Sequence, residues 1–186
     1  AITFDDTDTD MQPDLVWIKN RDATDSHCLF DAVRGATKVI HSDGSAAEVT
    51  DTDTLDSFTS DGFQVDADVK VNTNTEKYVA WCWKESATSG VDLVSYTGNG
   101  TSGRTVAHSL SATPEFFTVR RTLSDGDSWR VFHHKNTAAP ATDYLVLDTT
   151  GATADNAAMW NDTAPDSSNF TLGNAGSTNE NTKTFI

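Results

Sequence analysis

Residues 98–103 read Gly98-Asn99-Gly100-Thr101-Ser102-Gly103, a match to G-x-G-x-x-G that follows a strand-like run. In a dinucleotide site such glycines bring the backbone close to a pyrophosphate, and a helix opening at the third glycine offers its amides to the phosphates. Here residues 104–110 read as strand or loop and Pro114 follows, so the pattern is expected to be a hairpin turn. Aspartates recur at alternate positions: Asp6, Asp8 and Asp10; Asp51 and Asp53; Asp66 and Asp68; Asp125 and Asp127. Calcium requires several oxygens converging on one point. An EF-hand loop starting at Asp6 would need Gly where Met11 stands and a Glu at its twelfth position, and it has neither. Alternate residues of a strand share a face without converging, so these aspartates are expected to form a solvated acidic surface, with no metal site.

The five histidines, His27, His41, His108, His133 and His134, lack the spacing of an H-E-x-x-H metal motif. His108-Ser109 has no G-x-S-x-G elbow to expose a nucleophile, and among so many acids no single carboxylate pair stands out as hydrolytic. No catalytic or cofactor-binding residue is therefore expected. The tryptophans are Trp17, Trp81, Trp83, Trp129 and Trp160. Trp81 and Trp83 fall on one face of a strand and Cys82 on the other. Core packing is expected for Trp17, Trp81 and Trp129. Trp160, set among Asn161, Asp162 and Pro165, is the best candidate for an exposed ring that could stack on a sugar. Cys28 and Cys82 are read as buried free thiols in preference to a disulfide.

The elements that must position these residues are nearly all strands. Of 186 residues, 28 are acidic and 13 basic, for a net charge of −15. The acids are 23 Asp against 5 Glu, and there are 28 Thr. Asp and Thr are poor helix formers, and Thr favours strands. So acidic a chain has no basic surface to displace counterions from nucleic acid or to bind an anionic membrane, and no run is long and apolar enough for a membrane span. Short apolar runs at 15–19, 78–83, 93–96, 116–120, 129–132 and 144–147 read as strands, separated by turn signals at 42–44, 60–62, 99–100 and 124–126. Only 46–55 and 152–160 read as short helical turns.

The chain also resembles itself. Residues 13–21 and 114–122 each read as a proline, an acid, a hydrophobic run and basic residues. Leu29-Phe30-Asp31 answers Val131-Phe132-His133, 60–65 answers 167–172, and 72–79 answers 179–186. Four blocks in the same order imply two copies of one unit. Their charges differ: residues 1–93 hold 19 acidic and 7 basic residues, residues 94–186 hold 9 and 6. The expected organisation is a first β-sandwich repeat over 1–90, its N-terminal strand not visible, and a second over 91–186, its last strand truncated.

The blocks 13–21, Leu29-Phe30-Asp31-Ala32-Val33-Arg34-Gly35, Ser60-Asp61-Gly62-Phe63 and Tyr78-Val79-Ala80-Trp81-Cys82-Trp83-Lys84 resemble a repeat domain of unknown function found in virion and tail-associated proteins of marine phages, notably cyanophages. Residues 94–101 and 160–165 resemble the partner repeat that follows it. The resemblance implies an all-β fold of tandem antiparallel β-sandwiches, jelly-roll or lectin-like. It also implies a non-catalytic structural or adhesive role in a virion, as a tail, fibre or capsid-surface protein. The partners then expected are other virion subunits in a homo-oligomer or polymer. Two alternatives are a carbohydrate-binding module for host surface glycans and a glycan depolymerase domain of a tail spike.

Overall fold

The structure, a computed structural model of the chain, describes residues 1–4, 10–123 and 126–186. Asp6, Asp8, Ser124 and Asp125 lie outside the described residues. The chain is mostly β-strand in several antiparallel sheets with few helices, an all-β protein. It divides into two compact units. Unit 1 comprises Ala1–Gly44 and Glu48–Glu85; unit 2 comprises Ser45–Ala47 and Ser86–Ile186.

Unit 1 contains β1 (Ile2–Thr3), β2 (Leu15–Asn20), β3 (Cys28–Asp31), β4 (Lys38–His41), β5 (Val49–Thr50), β6 (Leu55–Thr59), β7 (Gly62–Val65), α1 (Val69–Asn72) and β8 (Tyr78–Trp83). One antiparallel sheet has the order β5-β4-β3-β2-β8 and a second the order β1-β7-β6. Alternation along β2 is strict: Val16, Ile18 and Asn20 are buried, and Leu15, Trp17 and Lys19 are half-buried. Val16 and Ile18 join Cys28, Phe30 and Val39 of the same sheet, Leu55 and Phe63 of the other, and Val71 of α1 in one core. The β6–β7 hairpin turns on Gly62 at φ +128°, where a Cβ would also overlap the Ile2 carbonyl oxygen. α1 starts at Asp68, whose Oδ1 accepts the Lys70 amide at 2.7 Å, a cap worth about 1 kcal/mol.

Unit 2 contains β9 (Tyr96–Thr97), β10 (Arg104–Ala107), β11 (Phe116–Val119), β12 (Arg130–His133), β13 (Asp143–Val146), β14 (Ala154–Asp155), α2 (Ala157–Trp160), β15 (Asn169–Leu172), α3 (Gly176–Asn179) and β16 (Thr184–Phe185). The order β11-β12-β13-β14 forms one sheet, and β10 pairs with β15. An Arg121–Phe185 bridge and the paired amides and carbonyls of Arg120 and Ile186 lay β16 beside the end of β11, with β9 on the far side of β16. Val119, Phe132, Met159, Trp160, Phe170, Leu172 and Phe185 are among the residues of its core.

The units run through their elements in parallel. β2, β3, β4, β5, β7, α1 and β8 are answered by β11, β12, β13, β14, β15, α3 and β16. Backbone bonds match as well. Arg21 N–H donates to Lys77 O, and Thr122 N–H to Thr184 O; Asn72 N–H donates to Asp68 O, and Asn179 N–H to Ala175 O. Two differences stand out. α2 occupies the place of β6. β16 lies between two neighbours, whereas β8 is the edge of its sheet among the described residues.

Several expectations need correcting. Of the two expected helical turns, only Ala157–Trp160 is helical; within 46–55 the chain forms β5 and enters β6. α1 and α3 were not expected, because four residues show no helical period. In place of the strand expected over 93–96 there is a two-residue strand, Tyr96–Thr97, which shares only Tyr96 with it.

Phe30 is fully buried in the unit 1 core. Phe30→Ala is expected to remove about 3–5 kcal/mol of the stability of that unit, read from its urea unfolding midpoint.

Candidate functional site

The glycine-rich loop connects β9 to β10, but those strands pair with β16 and β15 and not with each other, so it is a crossover and not the expected hairpin. Its amides are spent inside the protein. Gly98 N–H donates to Lys183 O at 2.7 Å, Asn99 N–H to Asn179 Oδ1 at 2.9 Å, Gly100 N–H to Asn179 O at 2.7 Å and Gly103 N–H to Leu172 O at 2.9 Å. The fully buried Asn179 returns its Nδ2 to Thr101 O at 3.0 Å and Gly173 O at 2.8 Å. A Cβ at Gly98 would collide with the Glu180 carbonyl, so the glycine serves this close approach of two backbones. The amides of Gly98, Asn99, Gly100 and Gly103 thus all face acceptors of the protein itself.

The acidic residues are engaged locally. Asp68 caps α1 and pairs with Lys70 Nζ at 2.6 Å, Asp53 N–H donates to Asp51 Oδ1 at 3.1 Å, and Asp127 pairs with Arg121. Asp31 and Glu48 flank Arg34, at 2.5 and 3.2 Å. Among the described residues no three His, Cys, Asp or Glu side chains converge as metal ligands. Asp166 accepts the amides of Ser168 and Asn169, which hold its carboxyl below the ordinary range. His108 and Ser109 face different partners. Ser109 Oγ donates to Asp92 Oδ1 at 2.7 Å, while His108 Nε2 lies 3.1 Å from Asp166 O. His41 Nδ1 lies 3.1 Å from His27 O and 3.8 Å from Cys28 Sγ. Both cysteines are free, Cys28 buried and Cys82 half-buried.

The tryptophans are placed otherwise than expected. Trp160 is 1 % exposed; α2 rolls it into the core of unit 2, and Asn161 at φ 54° ends the turn behind it. Its Nε1–H donates to Asp143 O at 3.0 Å. Trp129 is buried, as expected. Trp81, expected in the core, is 43 % exposed, and Trp17 is half-buried.

Register explains the reversal. Trp17 pairs across the sheet with Trp81, and Leu15 with Trp83, so all four share the face of the β2–β8 ribbon that points away from the core. Trp17 and Trp81 meet edge to face, 5.8 Å between centroids at 63°. Trp17, Trp81 and Trp83 line an open recess of about 210 Å³. Trp17 is fixed from the other side: its Nε1–H donates to His27 Nδ1 at 2.9 Å. That bond requires His27 to carry its proton on Nε2. Along the same strand Lys19 Nζ is held by the carbonyls of Asn20 and Ala23 at 2.6 and 2.9 Å. The result is an open apolar surface made of three indoles, one of them held by a hydrogen bond to His27.

Sequence reasoning missed this recess because β2 is hydrophobic on both faces. The available signal was the pairing itself: once 15–20 is laid antiparallel to 78–83, three of the five tryptophans fall together.

One family model, described as a domain of unknown function (DUF7483), matches residues 3–186. No curated protein and no solved structure matches the chain.

Burial pushes the Cys28 thiol up to about 12 and the Cys82 thiol to about 11, from an ordinary 9.0. Stability that rests on two neutral thiols is therefore full below about pH 9 and is lost as the pH climbs through about 11 and about 12. The urea midpoint should fall between pH 8 and pH 11, and fall less in the Cys28→Ala/Cys82→Ala double variant. Iodoacetamide at pH 8 should label both thiols slowly until the chain is unfolded.

Proposed function

The chain belongs to the DUF7483 family, and we propose that it is a non-catalytic structural or adhesive component of a virion, a pair of tandem β-sandwich repeats that associates with other subunits. Its setting is the extracellular particle of a marine phage, a tail, fibre or capsid surface. The resemblance of blocks 13–21, 29–35, 60–63 and 78–84 to virion repeats supports the setting. The matching order of elements in the two units supports the tandem reading, as do cores drawn from more than one sheet each.

The observation that carries the reading is the tryptophan recess. Aromatic side chains are enriched where proteins meet, and a clustered apolar patch on an outer sheet face marks such a contact. Pairing of buried carboxylates with cations, Asp31 and Glu48 with Arg34 and Asp14 with Lys84, supports a non-catalytic role.

Glycan binding is the second reading, and one observation favours it: the recess has the open, aromatic character on which a sugar ring stacks. A sugar also needs hydrogen-bond partners for its hydroxyls. Trp17 Nε1–H is already committed to His27, and the lining of the recess is indole alone. A protein surface fits that lining better.

The reading is tested by sedimentation velocity of the chain across the micromolar range. The mass is expected to rise with concentration above that of one chain, and Trp81→Ser should return it to a monomer with unchanged circular dichroism. A wild-type chain that stays monomeric throughout would overturn it.

A further inference from the structure

The corresponding face of unit 2 shows what covers such a surface. Thr118 pairs with Val131 as Trp17 pairs with Leu29, so Thr118, Arg120, Trp129 and Val131 share the face that answers the tryptophan face. In unit 2 the Arg120 end of that face is closed, while Phe116 at its other end is 55 % exposed. Arg120 is fully buried, and Trp129 and Val131 are each 4 % exposed. Part of the closure is the segment Ser45–Ala47, which belongs to unit 2 although its chain neighbours belong to unit 1. Ala46 O accepts Arg120 Nη2 at 2.7 Å and Ser45 O accepts the Gly126 amide at 2.9 Å. The segment lies in the β4–β5 connection, and its small side chains let its backbone come close.

Unit 2 has the counterpart of that connection, residues 147–153 between β13 and β14. It reads Leu147-Asp148-Thr149-Thr150-Gly151-Ala152-Thr153, with small residues from Thr149 on. Leu147 is 42 % exposed, and Thr149, Thr150, Gly151 and Ala152 are exposed. Unit 1, for its part, has a face of the closed kind left open at Trp17, Trp81 and Trp83, and no described segment lies across the recess.

We infer that the tryptophan face of unit 1 receives the β13–β14 connection of a second copy of this chain. The inference rests on the reading of that face as a protein contact and names its partner. Charge supports this pairing over a self-complementary one. Residues 1–93 hold 19 acidic and 7 basic residues, so a contact of unit 1 with unit 1 sets two strongly acidic surfaces together. Residues 94–186 hold 9 and 6, so a contact of unit 1 with unit 2 avoids most of that repulsion. Because one patch meets a different patch, the contact is heterologous, and copies add head to tail into a filament or a ring.

The test is complementation between two variants of the full chain. W81S removes the face and keeps the connection; Ala152→Glu places a charge on the connection and keeps the face. Each alone is expected to be a monomer in sedimentation velocity. An equimolar mixture is expected to form dimers and nothing larger, since only one productive contact remains, while the wild type grows further. Trp83→Ser replaces W81S should the latter lose native circular dichroism. If A152E assembles like the wild type while the tryptophan variants do not, the face remains a contact and the connection is not its partner. If both assemble like the wild type, both readings fail. A wild-type monomer whose indole fluorescence responds to neutral sugars would also overturn both.

Discussion

The antiparallel pairing of β2 with β8 is the constraint on which unit 1 depends. It runs for six residue pairs, from Leu15 with Trp83 to Asn20 with Tyr78. Side chains alternate with a period of two, so one choice of register sends Val16 and Ile18 into the core and Trp17 and Trp81 out of it. A slip of one residue would invert both assignments at once. The core and the recess are therefore two consequences of a single pairing, and a change of register would alter both.

Buried amides secure the ends of this arrangement. Asn20, 1 % exposed, donates to Asp25 at 2.7 Å and Glu76 at 2.6 Å, lies 3.2 Å from the Tyr78 hydroxyl, and accepts the amides of Asp22 and Ala23. It ties the end of β2 to the approach to β8. Asn179 does similar work in unit 2, between the glycine-rich loop and the end of β15. A buried amide so fully partnered fixes one geometry, since any other leaves it desolvated and unpaired. The tyrosines differ instructively. In unit 1 the Tyr78 hydroxyl of β8 donates to Val69 O of α1 at 2.7 Å. In unit 2 Phe185 replaces that tyrosine, and Tyr96, from the additional strand β9, reaches Thr178 O of α3 at 2.6 Å.

Much of the architecture was legible because strand signals are local. Tyr78–Trp83 was marked out residue for residue by its run of aromatic and β-branched types, and 15–19 and 116–120 differ from β2 and β11 by one residue. What failed was the assignment of faces. An aromatic residue in a strand points to the core, as the sequence suggests for Trp17 and Trp81, but only the partner strand shows which side is inward. Trp160 failed for the opposite reason. Its polar neighbours Asn161 and Asp162 describe the turn that ends α2 and say nothing of the indole, which points back into the core. The glycine-rich loop is a crossover and not the hairpin that its sequence suggests. Its amides are consumed by Asn179 and Lys183, some 80 residues away, a contact no local pattern records.

The placement of Ser45–Ala47 in unit 2 also imposes an order in time. All of unit 1 has been synthesised by Glu85, yet Arg120, the side chain that binds Ala46 O, follows that residue by some 74 positions. At ribosomal rates of about 5–20 residues per second, the wait is about 4–15 seconds. Throughout it Ala46 O is without the Arg120 partner that it has in the folded chain. Ser45, Ala46 and Ala47 themselves are small and uncharged, and so offer nascent chain and chaperones little to hold.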